Sequence, residues 1–163
     1  MSQLVSDLAI HKLDVILSDR ALDPLYRVQA YSHRLGDSEV VVVGTKRLAK
    51  KVINGFPGSL DRAPFLLPTD NSVLRRQLDQ WFSDLSIVPQ VRGEFADSAM
   101  MKIAGVNGLG LFAIPAVMEE ELLNIYGLQH VGTILGVREQ YYAVSVERRI
   151  KHPAVMAIRE RAQ

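Results

Sequence analysis

Apolar residues along the chain follow two rhythms, one spaced for helices and one packed into short strand-like runs. Leu4, Leu8 and Ile10 give residues 1–11 a modest helical stripe. Leu13 to Asp19 reads as a short buried strand ending in polar residues, and Asp23-Pro24 marks a turn. Tyr26 to Arg34 alternates like a strand, and Leu35-Gly36-Asp37 is expected to break it. Val40 to Gly44 is the clearest strand, because four consecutive valines suit a strand covered on both faces, as in parallel sheets. A basic helix follows from Thr45 to Val52. Pro64 to Pro68 is another short apolar strand. Thr69, Asp70 or Asn71 can then cap a helix from Ser72 to about Leu85. In that helix Leu74, Leu78, Trp81, Phe82 and Leu85 share one face, which predicts Trp81 and Phe82 as core residues.

Pro89 to Phe95 is a strand, and Asp97 or Ser98 caps a helix carrying Met100, Met101, Ile103, Ala104 and Val106. Asn107-Gly108 ends that helix. Gly110 to Pro115 is a strand stopped by proline, Glu119 to Leu123 a short helix, and 131–135 and 141–146 two further strands. His152-Pro153 opens a last helix to Arg161. Short apolar strands alternating with amphipathic helices predict an α/β fold with a mostly parallel sheet.

Composition works mainly by exclusion. A chain of 163 residues is about one domain's worth, since domains usually hold about 100–200 residues. Its 19 basic and 18 acidic residues leave a net charge of +1, without the excess that marks a nucleic-acid-binding face. The absence of cysteine excludes disulfides, thiolate metal sites and a cysteine nucleophile. No apolar run approaches the roughly 18 residues of a membrane span, and the N-terminus lacks signal-peptide features. A cytoplasmic protein without membrane contact is expected.

Candidate chemistry is sparse. His11, His33, His130 and His152 share no ligand spacing, so they read as surface or capping residues. Gly108-Leu109-Gly110 lies after a helix and before a strand, the reverse of a dinucleotide loop. There is no nucleophile elbow and no phosphate loop, so no catalytic residue, no cofactor and no enzyme activity is assigned, and the metal question stays open. Glu119-Glu120-Glu121 reads as a solvated helix face, and Arg148 to His152 as a short basic surface patch. The informative feature is where side-chain oxygens fall. Ser18 and Asp19 end one strand; Thr69, Asn71 and Ser72 lie between a strand and a helix; Phe95, Asp97 and Ser98 mark a second such junction. Open α/β sheets bind ligands outside the carboxyl ends of their strands, so these eight residues are the candidate ligand contacts.

Several of these segments also resemble a known family. Pro64 to Pro68, followed by Leu74-Arg75-Arg76-Gln77-Leu78-Asp79-Gln80-Trp81-Phe82, is similar to the middle of the effector-binding domain of LysR-type transcriptional regulators. Gly93-Glu94-Phe95-Ala96-Asp97-Ser98, leading through Gly108-Leu109-Gly110 to Ala113-Ile114-Pro115, resembles the next part of that domain. His11 to Asp19, and Glu147-Arg148 with Ile150 and His152-Pro153-Ala154-Val155, resemble the members that regulate sodium–proton antiporters. The resemblance implies a type-2 periplasmic-binding-protein-like fold, two α/β lobes with a cleft between them. Lobe I would hold residues 1–36 and 144–163, and lobe II residues 37–143. Lobe I is expected to be incomplete. The family's helix-turn-helix, linker helix and first part of the effector domain have no counterpart, so the chain is expected to be a fragment.

The function implied is ligand sensing by a transcriptional activator of antiporter expression, with DNA contacted only through the missing helix-turn-helix. The effector would be a sodium ion or a small anion, and a homo-oligomer is expected. A solute-binding protein of the same fold is the alternative. A small α/β enzyme is a third, for which no nucleophile–base pair or metal cluster is visible.

Overall fold

Val40, Val41, Val42 and Val43 are all buried, and they point alternately into two different hydrophobic clusters. A fully buried valine stabilises a fold by roughly 1.5–3 kcal/mol, so four in a row place this strand at the centre of the sheet. The computed structural model describes residues 2–26 and 28–146, together with Pro153, Met156 and Ala157. Its elements are α1 (Ser2–Ala9), β1 (Ile16–Ser18), β2 (Tyr31–Thr45), α2 (Lys46–Val52), β3 (Pro64–Pro68), α3 (Val73–Asp84), β4 (Gln90–Phe95), α4 (Ser98–Val106), β5 (Leu111–Pro115), α5 (Glu119–Tyr126) and β6 (Leu128–Ser145). The chain divides into two compact units, Ser38–Glu139 and a smaller one made of Met1–Asp37 with Gln140–Gln163. β2 and β6 each run without interruption from one unit into the other.

In the larger unit the strand order is β6-β2-β5-β3-β4. β3 is parallel to both β4 and β5, whereas β2 runs antiparallel to β5 with Val40 opposite Pro115 and Val43 opposite Phe112. Phe65, Leu67, Leu111 and Ala113 pack with Leu48, Ala49 and Val52 of α2 and Leu78 and Phe82 of α3 on one face. Leu66, Phe112 and Ile114 pack with Met101 of α4 and Leu122 of α5 on the other. Alternation along each strand therefore feeds two helical layers. The smaller unit has its own cluster of Val5, Leu8, Ile16 and Val144, and β1 pairs antiparallel with the end of β6.

Three sequence expectations need correction. The sheet is mixed, with β1 and β2 in antiparallel pairs. Residues 31–45 form one strand across Leu35-Gly36-Asp37, and 128–145 form one strand across Gly136, which takes a positive φ of 83°. Long pairing along the chain overrides the local breakers, and Leu35 is buried against Ala143 of β6. On the outer helix faces, Leu85, Met100 and Ile103 are exposed, and Trp81 is only half-buried, stacked on Phe56 at 6.0 Å. Phe82 alone of the aromatic pair is a core residue. The basic patch at 148–152 lies outside the described residues. Of the final helix expected from His152 to Arg161, only Pro153, Met156 and Ala157 are described, all helical.

Candidate functional site

Two strand-to-helix junctions meet on the larger unit. β3 ends at Pro68 opposite Phe95, the last residue of β4. One step further the Thr69 amide donates to the Phe95 carbonyl at 3.0 Å. The pairing of two parallel strands thus continues into the connections that follow them. Thr69 Oγ1 then donates to Asn71 Oδ1 at 2.9 Å, and the Ser72 amide donates to the Thr69 carbonyl at 3.1 Å, which closes a tight turn. Ser72 has extended backbone angles, and its hydroxyl accepts from the Arg75 amide at 3.0 Å. That is an N-cap in the form short hydroxyl residues favour.

On the neighbouring strand, Phe95 is half-buried against the Val41 and Met101 cluster. Asp97 is the N-cap of α4, and its Oδ1 accepts from Ala99 at 2.7 Å and Met100 at 3.4 Å. Ser98 is the exposed first residue of that helix. Thr69, Asn71, Ser72, Phe95, Asp97 and Ser98 therefore lie along one edge, where two helix N-termini and several side-chain oxygens face the same end of the sheet. Such an edge favours polar ligands, because amide donors at helix starts and short hydroxyl or amide side chains serve either sign of charge. Ser18 and Asp19 belong to the smaller unit. There Ser18 Oγ accepts from the Arg20 amide at 3.2 Å, and Asp19 lies 4.0 Å from the Arg20 guanidinium.

Two residues at this edge escaped the sequence reading. Arg75 is 15% exposed at its side chain. Its Nε donates to both carboxylate oxygens of Asp79, at 2.9 and 3.0 Å, and its Nη1 donates to the Pro68 carbonyl at 2.8 Å and to Glu94 Oε1 at 2.7 Å. Burial on its own would lower the Arg75 pKa. Hydrogen bonds and charge from Asp79 and Glu94 outweigh it and hold the pKa above the ordinary value, so the guanidinium stays charged. The i,i+4 spacing of Arg75 and Asp79 was the available signal, but Glu94 lies 19 residues away. Ser38 is buried at the start of the larger unit's part of β2, and its hydroxyl accepts from the Val117 amide at 3.3 Å just past β5. Since β5 is parallel to β3, its end at Pro115 reaches the same edge and adds a third connection. Among the described residues, no three His, Asp or Glu side chains cluster as metal ligands, and no helix is long and apolar enough to cross a membrane.

A helix-covered mixed sheet with polar connections at the ends of its parallel strands is the architecture of a type-2 periplasmic-binding-protein-like, ligand-binding domain. The chain belongs to the LysR substrate binding domain family, which it matches over residues 1–163, and it is an effector-binding domain of the LysR type. It is 32% identical over 155 residues to the transcriptional activator protein NhaR of Escherichia coli (strain K12), a match covering 95% of this chain and 50% of that protein. The chain thus spans about half the length of the curated relatives it matches. Among solved structures it is similar to Vibrio fischeri DarR in complex with DNA, with TM-score 0.69 and 20% identity, over 99% of this chain and 54% of that one. It is also similar to the effector binding domain of QuiR in complex with shikimate, with TM-score 0.63 and 18% identity, over 99% of this chain and 76% of that one. These relatives are a transcriptional activator, a regulator bound to DNA and an effector binding domain.

Proposed function

We propose that this domain senses a small ionic effector for a cytoplasmic transcriptional activator of sodium–proton antiporter expression. Contact would be made by Thr69, Asn71, Ser72, Phe95, Asp97 and Ser98 on the larger unit. The observation that carries the site is the Thr69–Phe95 bond, which brings two helix starts to one edge of the sheet. The activator reading rests on the 32% identity to NhaR and on the antiporter-regulator resemblance of residues 11–19. Specific DNA binding would belong to a helix-turn-helix of the whole regulator. The relative bound to shikimate supports an effector of small-carboxylate size, and the carboxylate of Asp97 at this edge suits a cation such as sodium.

Titration decides between the two charges. Sodium chloride, with choline chloride as ionic-strength control, and potassium shikimate are added to the wild-type chain and to Asp97→Asn, and the melting temperature is followed. A ligand at a hundred times its Kd adds about 2.7 kcal/mol, which raises the melting temperature of a chain this size by about 5–10 °C. A sodium response lost in Asp97→Asn identifies a cation site. A shikimate response kept or strengthened in the variant identifies an anion site. No response to either salt in the wild-type chain would refute the assignment to these probes.

A further inference from the structure

We infer that Arg75 is the clamp that sets the register of β4 beyond its bulge, and so positions Phe95, Asp97 and Ser98 against Thr69–Ser72; the functional consequence, though not the clamp, rests on the effector site proposed above.

The pairing of β3 with β4 is interrupted. Phe65 stands opposite Val91, but Leu66 stands opposite Gly93, so Arg92 is an extra residue in β4. Beyond such a bulge the register is a new choice, and a slip of one residue would exchange the two faces of the strand. Register is ordinarily held by the hydrophobic pattern, and β4 offers little of one. It is the last strand in the sheet order; Gln90, Val91, Arg92 and Glu94 are exposed, and only Phe95 packs on the core. The polar contacts of Arg75 lie where the pattern is weak. One nitrogen bridges the carbonyl of Pro68, the residue opposite Phe95, to the carboxylate of Glu94, the residue before it. Asp79, one turn along α3, holds the other side of the guanidinium. A slip in either direction moves Glu94 along the strand by about 3.3 Å and breaks that bridge. Lysine has no planar fork and cannot reproduce the set of contacts.

The test measures amide hydrogen exchange in the whole chain for wild type, Arg75→Gln, Arg75→Lys, Glu94→Gln and Asp79→Asn. In Arg75→Gln the Thr69 amide, which reads the pairing directly, should exchange about tenfold faster or more, while the Gly127 amide at the end of α5 keeps its wild-type rate. Arg75→Lys should move the same way. Glu94→Gln, a surface change that leaves the fold alone, should give a smaller rise at Thr69. Asp79→Asn should leave Thr69 near wild type. Unchanged exchange at Thr69 in both Arg75→Gln and Glu94→Gln would overturn the clamp, as would equal acceleration at Thr69 and Gly127, which marks general destabilisation. Where sodium or shikimate binds the wild type, Arg75→Gln should weaken binding about tenfold and Asp79→Asn less than threefold. If neither probe binds the wild type, the proposed effector site falls, and exchange still decides the clamp.

Discussion

Gly105 shows how far a single position can depend on its neighbour across the core. It sits inside α4, where intrinsic propensity favours alanine over glycine by about 0.8–1 kcal/mol. A Cβ there would collide with Cε1 of Phe112, a ring fully buried in β5. Overpacking of that kind costs about 1–3 kcal/mol, more than the propensity returns. Gly105→Ala should therefore lower stability in urea or thermal unfolding, and a gain would mean the ring has room to move. No feature of the sequence around Ser98 to Val106 marks Gly105 as different from any helix glycine, because Phe112 acts from the neighbouring strand. Trp81 makes the same point in reverse. Its helical spacing matches Leu78 and Phe82, yet the ring stacks on Phe56 at the rim, half-buried.

At the scale of elements, the candidate site is built from helix starts. Asp97 accepts two amides of α4, so Asp97→Ala should cost about 1 kcal/mol, whereas Asp97→Asn, which caps equally well, should hold stability within a few tenths. That difference keeps the titration described above clean, because the amide variant removes charge without removing the cap. A stability loss in Asp97→Asn as large as in Asp97→Ala would show that the charge, through the helix dipole, rather than the hydrogen bond does the capping. The cap of α4 was legible in the sequence, since Asp97-Ser98 interrupts an apolar run with short polar residues of known local chemistry. The cap of α3 was misplaced, because Thr69 and Asn71 bond each other in the turn and Ser72, expected inside the helix, caps it instead of Thr69, Asp70 or Asn71. The meeting of the two junctions was not legible. It depends on β3 and β4 being adjacent and parallel with a bulge between them, a choice made among strands and not within one.

At the scale of the molecule, Ser38–Glu139 contains both of its hydrophobic clusters and all four helices α2 to α5. Among the described residues, every member of these two clusters belongs to the larger unit. Domains with their own core fold alone, so a chain of residues 38–139 should give helical circular dichroism, a cooperative thermal transition and a Trp81 emission close to that of the whole chain. A broad, non-cooperative transition would show that the larger unit needs the rest of β2 and β6 to keep its sheet.

Local patterns in the chain were enough to settle the identity and order of most elements. Four valines in a row, the burial of Leu78 and Phe82 on α3 and the Asp97 cap are each decided within a few residues by side-chain periodicity and backbone hydrogen bonding, so they can be read directly. The family likeness followed from the same segments, because it lies in those local motifs. Only the tertiary structure decided that β2 and β6 run on through Gly36 and Gly136, that the sheet is mixed, and that Arg75 ties Pro68 to Glu94. Each of these is a pairing between distant segments, whose free energy depends on what the partner strand or side chain offers, and a single segment carries no record of its partner.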